Sequence, residues 1–545
     1  MRYSWFILPL LCMGCPYLTA EEKPKIGDWP QWGGTDDRNM VSDEKGLPTH
    51  FEVGKPKAGS EEIDLATTKN VKWVLKLGSQ TYGNPTVAGG RVFIGTNNES
   101  PRDERIKGDR GIVMCFDEKS GAFLWQLAAP KLKSGKVNDW EFLGIMSSPL
   151  VIGERLYLVT NRCEVLCLDV NGMANGNDGL FKDEVLYLED PDYLLDAARI
   201  ERAKKLLEEK KKKGEKVLDP GLKDADIIWR YDMMMELGIF PHNASNCSIL
   251  AHDKFLYVNT SNGQDWSHMN IPSETAPSYI VLSMDEGIQE TDKRLVGEDD
   301  IKQGPRILHG LWSNPSKGKV GGQAMIFFGG GDGFLYAFDS VPQTEQDGRS
   351  ILKDVWRLDC NPLQYRVKDG KKLKYPHHDG PSEIDSTPVF YKERVYVAIG
   401  QDPEHGPGLG NLLCIDAKTG KQIWANDKIM RSISTVAIKD GLLFIGDFSG
   451  NVYCFDAEDG KQYWKHATGS HIWGSPFAAD GKVYIGNEEG DLYVFALSKE
   501  KKILNADQDG KVSNFGSAMY STPIAANGVL YVSTQTHLYA LEEKK

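Results

Sequence analysis

From Asn411 to Trp424 the chain spells a phrase that recurs in register, with eight of fourteen residues identical, from Asn451 to Trp464, 40 residues later. In each copy an alternating apolar run ends in Asp-Ala (Asp416-Ala417, Asp456-Ala457). A turn of Thr419-Gly420-Lys421 or Asp459-Gly460-Lys461 then reverses the chain, and a second run carries Trp424 or Trp464. Upstream of each phrase lies another pair of short apolar runs joined by a Gly-containing turn. Alternation among β-branched and aromatic residues predicts strands, and Asp/Gly turns predict hairpins. Four antiparallel strands every ~40 residues is the pattern of a propeller blade, a unit that buries its faces only by stacking on its neighbours.

Strand openings at Pro85, Pro149, Ile249, Pro315, Pro388, Val436, Pro476 and Pro523 give eight copies. In seven of them an aromatic of the second strand follows eight residues later: Phe93, Tyr157, Tyr257, Tyr396, Phe444, Tyr484 and Tyr531. The fourth copy is stretched, with Phe327-Phe328 further on. Proline is tolerated at these openings because no ladder hydrogen bond is yet required there. The last copy stops at Leu541 without an outer strand, and Asn70 to Leu75 reads as the missing one. The fold class is therefore all-β: an eight-bladed propeller over 70–545, its ring closed by an N-terminal strand, which removes an open sheet edge. Six copies carry an outer-strand tryptophan (Trp73, Trp125, Trp229, Trp356, Trp424 and Trp464), read as docking between neighbouring blades.

The N-terminal segment is not part of this ring. Arg2, the apolar run Tyr3 to Met13 and the small residues ending at Thr19-Ala20 read as a signal peptide over 1–20, cut after Ala20. A rival reading takes Gly14-Cys15 as a lipoprotein site with a lipid anchor at Cys15. Either way the chain is exported, periplasmic or secreted, and no other run of ~18 apolar residues offers a transmembrane segment. Residues 21–69 form a lead-in. A net charge of −13 argues against a nucleic-acid partner, whose phosphates call for a basic face.

The phrase Ala-x-(Thr/Asp)-Gly-Lys-x-x-Trp at Ala417 to Trp424 and Ala457 to Trp464 resembles the tryptophan-docking motif of the PQQ-repeat family. That family includes eight-bladed quinoprotein dehydrogenases and non-catalytic relatives such as the lipoprotein subunit of the outer-membrane assembly machine. The opening Asp28 to Gly34 also resembles the lead-in of secreted PQQ-repeat proteins. The resemblance covers residues 70 to 541. It implies for the catalytic members a PQQ held between a tryptophan floor and a disulfide of adjacent cysteines, with Ca2+ and an Asp base beside it. This chain departs from that pattern. No two cysteines are adjacent. Cys115, Cys167, Cys414 and Cys454 each stand two residues before the strand-three Asp, a slot that elsewhere holds Ser283, Ala337, Val494 and Ala540. A slot open to Cys, Ser, Ala or Val asks for a small core side chain. Cys163, Cys247 and Cys360 remain without zinc-type pairing.

In a propeller the loops between strands two and three and from blade to blade share one face. Long segments crowd it: 97–111, 129–146, 230–246, 261–278, 357–385 and 401–410. Scaffolds concentrate function on such loops. The candidate ligand-binding residues there are Trp140, His242, Asn243, Trp266, His309, Trp312, His377, His378, Asp385, Arg431, His471 and Trp473. Flat aromatics among His, Asp and Arg suit a polar ring-bearing ligand such as a sugar or quinone, and two or three of the histidines suit a metal instead. One insertion in blade two, 183–226, carries a helix predicted over 191–213 with a basic end, on the opposite face. The expected role is a monomeric, non-catalytic platform that binds a protein or polysaccharide through the looped face. The alternative is a quinoprotein oxidoreductase using PQQ and Ca2+ on an alcohol or sugar.

Overall fold

The computed structural model describes residues 25, 27–346, 348–405 and 408–543. The signal peptide expected over 1–20 and the rival anchor Cys15 lie outside them. Seven four-stranded antiparallel sheets and an eighth, blade three, whose four antiparallel strands are extended to six by two short strands, form an eight-bladed propeller. The innermost strands are Thr86–Ala88, Leu150–Ile152, Leu250–His252, Ser316–Val320, Val389–Tyr391, Ala437–Lys439, Phe477–Ala479 and Ile524–Ala526, each starting one residue after its expected opening. Val71–Lys76 pairs antiparallel with His537–Leu541, so an N-terminal strand completes blade eight.

One transverse row explains the repeat. In blade one Phe93 pairs with Cys115, and Cys115 pairs with Trp125. Tyr396, Cys414 and Trp424 form the same row in blade five, and Phe444, Cys454 and Trp464 in blade six. The strand-two aromatic and the outer tryptophan approach each other across the small middle residue, with ring centroids at 6.0, 6.1 and 5.9 Å. A larger side chain in the middle would separate them, which is why the slot takes Cys, Ala or Val. In blade three this slot is Val281, opposite Tyr257, and not Ser283, which pairs with Phe255. Strand Tyr279–Ser283 ends before Asp285, so counting back from that Asp misplaces the row by two residues.

Each outer tryptophan then reaches the next blade. The indole N–H of Trp73 donates to Glu118 O at 3.1 Å, Trp125 to Val170 O at 2.9 Å, and Trp356 to Ala417 O at 2.8 Å. Trp424 donates to Ala457 O at 3.2 Å and Trp464 to Ser498 O at 3.1 Å. The turn glycine of the receiving blade has positive φ and lies flat under the ring: a Cβ on Gly420 would sit 2.7 Å from Trp356, and one on Gly460 2.7 Å from Trp424. Trp229 is the exception. Its ring is covered by the Arg294 guanidinium at 4.0 Å, and its N–H has no hydrogen-bond partner.

The lead-in is a collar on the hairpin-turn face. Trp29 exchanges backbone hydrogen bonds with Val87, Pro30 O accepts from Val151, and Asp36 O and Asp37 O accept from Lys317 and Phe390. Asn39 bonds Ile438, Met40 O accepts from Ala478, and Gly27 O accepts from Asn527. Fully buried Arg38 donates to Ile249 O (2.9 Å) and Pro315 O (2.8 Å). Residues 27–40 thus bond to every blade, occupying inner-strand backbone groups that would otherwise line an open channel.

The blade-two insertion differs from expectation in two respects. It is not one helix: Glu184–Glu189 is helical, Pro191–Leu195 is a 3-10 turn, and a longer helix spans Ala197–Lys212, capped by Asp196 accepting from Arg199 N. Nor does it stay on the hairpin-turn face. Asp224 bridges Gln126 on the outer edge of blade one, Leu188 O accepts from Arg110, and Asp192 pairs with Arg162 near the looped face. The lysines Lys204, Lys210 and Lys211 are paired with Asp183, Glu189 and Asp219.

Candidate functional site

At the looped end the channel opens into a cavity of about 380 Å3. Its walls carry Trp140, Trp312, Trp473, Tyr82 and Tyr520, with Asn243, Asn246, Asn314, Asp385 and Asp402 between them, and Trp32 of the collar lines it as well. Tyr82 stacks on Tyr520 at 4.8 Å and 18°, and Trp473 lies 4.8 Å from Tyr520, so one wall is a continuous aromatic face. Among the described residues no lysine, arginine or histidine lines this cavity.

Behind the wall four of the eleven histidines meet. His242 follows the outer strand of blade two, His268 lies between strands two and three of blade three, His309 precedes blade four, and His405 lies between strands two and three of blade five. The His242 and His309 ring centroids are 4.3 Å apart, and His268 is 5.0 Å from each. His405 is 4.8 Å from His309. Gly263 permits the approach: a Cβ there would sit 2.6 Å from His242 Cβ and 2.7 Å from His309 O. Gln264 clamps the loops, donating its N–H to His309 O at 2.9 Å while its own carbonyl lies 2.7 Å from His242 Nδ1.

His309 is 1% exposed and neither of its ring nitrogens has a hydrogen-bond partner; His242 is fully buried and its Nε2 has none. Burial holds His242 down to about 4, and burial together with the other histidines holds His309 well below the usual imidazole range. Both are neutral near pH 7. Fully buried Glu383 accepts from Tyr375 Oη at 2.9 Å and from Asp402 N at 3.0 Å. Its Oε2 and the Oδ1 of Asp385 have no partner. Burial raises both carboxyls above the usual range, and for Asp385 the neighbouring Glu383 and Asp402 raise it further. The nearby cation Arg431 is turned to carbonyls, donating to Asp402 O and Pro403 O while its guanidinium covers Phe448 at 4.3 Å.

Of the residues expected from sequence, Trp140, Asn243, Trp312, Asp385 and Trp473 line the cavity, and His242 and His309 lie in the histidine cluster. Arg431 and His471 flank Phe448, His471 stacking on it at 4.3 Å. Trp266 stands at the rim, 57% exposed and stacked on Trp140 at 5.7 Å and 20°. His377 and His378 are exposed beside Asp379 and are not in the histidine cluster around His309. The expectation missed His268, Tyr375, Glu383, Asp402 and His405. These come from three loops (261–278, 357–385 and 401–410), so no local spacing marks the cluster as a whole; the only signal is that each sits in a long looped-face segment. All seven described cysteines are buried and unpaired. Among the described residues no helix is long and apolar enough to cross a membrane.

Residues 408–542 match the PQQ-type repeat family described as outer membrane protein assembly factor BamB. No curated protein sequence matches. Among solved structures, a europium-containing methanol dehydrogenase is similar at 11% identity with a TM-score of 0.57, covering 95% of this chain and 98% of that one. BamB from Moraxella catarrhalis aligns at 12% identity and a TM-score of 0.48, covering 87% of this chain and 97% of that one. The quinohemoprotein alcohol dehydrogenase from Comamonas testosteroni aligns at 12% identity and a TM-score of 0.44, covering 95% and 81%. The chain is an eight-bladed propeller whose residues 408–542 match PQQ-type repeats.

Proposed function

We propose that this chain is an exported, monomeric, non-catalytic binding platform that takes a segment of polysaccharide into the mouth of its channel. The observation that carries the reading is the lining: flat faces of Trp140, Trp312, Trp473, Tyr82 and Tyr520 alternate with the amides of Asn243, Asn246 and Asn314 and the carboxyls of Asp385 and Asp402. Apolar faces of sugar rings stack on such aromatics while their hydroxyls bond the polar groups between them. About 380 Å3 suits a short oligosaccharide segment rather than a folded domain. A protein partner is the second reading, favoured by exposed Trp266 and Met269 on the rim. It would use the loops' outer surface rather than the cavity.

The lining fits PQQ poorly. A tricarboxylate placed there meets Asp385 and Asp402 and no cationic side chain, and no vicinal cysteine pair caps the space. The test is a titration of the mature protein with neutral, amino and acidic oligosaccharides, followed by tryptophan fluorescence. A saturable change that weakens about 10-fold in Trp473→Ala is expected, because one stacking contact is worth about 1–1.5 kcal/mol. Saturable binding of PQQ with Ca2+ and of no glycan would overturn the reading in favour of an oxidoreductase.

A further inference from the structure

We infer that His242, His268 and His309 hold one divalent transition-metal ion at the wall of the channel mouth. One ligating nitrogen from each of these three residues lies within 4.8 Å of the others, near enough for a small rotation of the rings to close them around one ion. His309, Asp402 and His405 form a second such set, so further donors are at hand beside the same ring.

Three independent features point to a cation. The first is hydrogen bonding. Buried imidazole nitrogens normally find partners, yet His309 has none on either side and His242 has none at Nε2. Second, the His242 tautomer is set. Its Nδ1 faces the Gln264 carbonyl at 2.7 Å, so Nδ1 carries the proton and the Nε2 lone pair is left to donate. This outer-shell contact is the one that orients ligating histidines. Third, the surroundings are acidic. Buried Glu383, 3.8 Å from His309 Nδ1, and half-buried Asp385 each present an oxygen without a partner, and Arg431 donates to carbonyls. A divalent ion supplies the positive charge that this cluster of donor nitrogens and carboxyl oxygens lacks.

The donor set selects the ion. Imidazole suits Zn2+, Cu2+, Ni2+ and Fe2+, whereas Ca2+ and Mg2+ demand oxygen. Three histidines with a fourth position open or filled by a carboxylate is a zinc-type arrangement. Asp402 belongs both to the cavity lining and to the second set, so the ion lies at the boundary of the ligand space.

The experiment uses the full mature chain, stripped with EDTA and reloaded with ZnCl2, CoCl2 or CaCl2 alone. Elemental analysis after dialysis is expected to find about one zinc per chain, and the cobalt form to show the d–d absorption of a low-coordinate nitrogen-rich site. His268→Ala, on a partly exposed loop, and His309→Ala are each expected to weaken zinc by at least about 100-fold, since even outer-shell changes cost 10- to 100-fold. The double variant His377→Ala/His378→Ala, which removes the exposed pair, should retain it. The inference is overturned if the wild type retains no zinc, or if only Ca2+ binds. It is equally overturned if zinc survives in His268→Ala, or if it is lost in the His377/His378 variant. Should His309→Ala fail to fold, His268→Ala alone decides.

Discussion

Trp424→Ala tests whether outer-strand tryptophans hold the blades together. Trp424 is 9% exposed and is the only buried residue of its strand, Gln422–Asn426, so that strand touches the core through this one side chain. Removing a ring that buries roughly 200 Å2 forfeits about 4–5 kcal/mol at ~25 cal/mol per Å2. The lost hydrogen bond to Ala457 O adds about 1 kcal/mol. Partial collapse and solvent entry at the blade edge recover some of this, leaving about 3–5 kcal/mol, the usual range for buried aromatics. Gly460 attacks the same contact from the other blade: at φ +72° an alanine there is strained, and its Cβ meets the Trp424 ring at 2.7 Å. In the double variant the collision disappears while the backbone strain stays. The second substitution should therefore cost at least about 1 kcal/mol less in the Trp424→Ala background than in wild type. Urea denaturation monitored by fluorescence and circular dichroism reads both numbers from the shift in midpoint at constant slope. A loss below about 1 kcal/mol for Trp424→Ala, or strict additivity of the pair, refutes docking as the source of cohesion.

Trp266→Ala, at a 57% exposed ring, is expected to change stability by less than about 0.5 kcal/mol in the same assay. Glu164→Gln should cost about 3 kcal/mol, because Arg230 (2.8 Å) and Arg162 (3.4 Å) would face a neutral amide and keep only Asp232 and Asp192 as carboxylate partners. Burial opposes ionisation of Glu164, but Arg230 and Arg162 outweigh it and hold the carboxyl below its usual 4.5. The stabilisation it contributes is therefore complete above about pH 4.5 and fades as pH falls through the lowered value, so the gap between wild type and Glu164→Gln should narrow in acid. Because Tyr187 donates to Glu164 at 3.0 Å and Asp192 pairs with Arg162, limited proteolysis should cut the blade-two insertion faster in this variant.

The ring was legible in the sequence because its information is repeated. Each expected opening precedes its inner strand by one residue, and each expected tryptophan stands in an outer strand. The reading slipped where a copy lost its punctuation. Blade three has no turn phrase after Asp285, so its small slot was assigned to Ser283 instead of Val281. The insertion's apolar spacing marked a helix, but nothing in Pro191 to Asp196 revealed a break that carries the chain along the flank. For the site, composition identified the looped face and seven of the residues that meet there. His268, Glu383, Asp402 and His405 were invisible because their proximity depends on the angles between blades three, four and five.

The collar shows how far a non-repeating segment can control a repeating fold. An eight-bladed ring leaves a central channel bordered by inner-strand edges, and here one lead-in occupies it from the hairpin-turn face while Trp32 lines the cavity above. Arg38 is its centre. Its guanidinium is fully buried and donates to Trp32 O, Gln31 Oε1, Ser248 O, Ile249 O and Pro315 O, at 2.6 to 3.3 Å. Burial lowers its pKa only to about 10, so the side chain is charged at neutral pH. Arg38→Ala leaves five oxygens without their donor and should cost about 3–5 kcal/mol, as for other buried charged networks that lose a member. Arg38→Lys keeps the charge, but its three donors on one nitrogen cannot span acceptors drawn from the collar and from blades three and four, so it should recover less than half of the loss. Thermal unfolding gives the stability, and acrylamide quenching gives the channel: if the collar seals it, quenching of the cavity tryptophans rises in Arg38→Ala below the melting transition. Unchanged quenching together with a full loss of stability would mean that Arg38 braces the blades without closing the channel, and the cavity would then owe its floor to Trp32 alone.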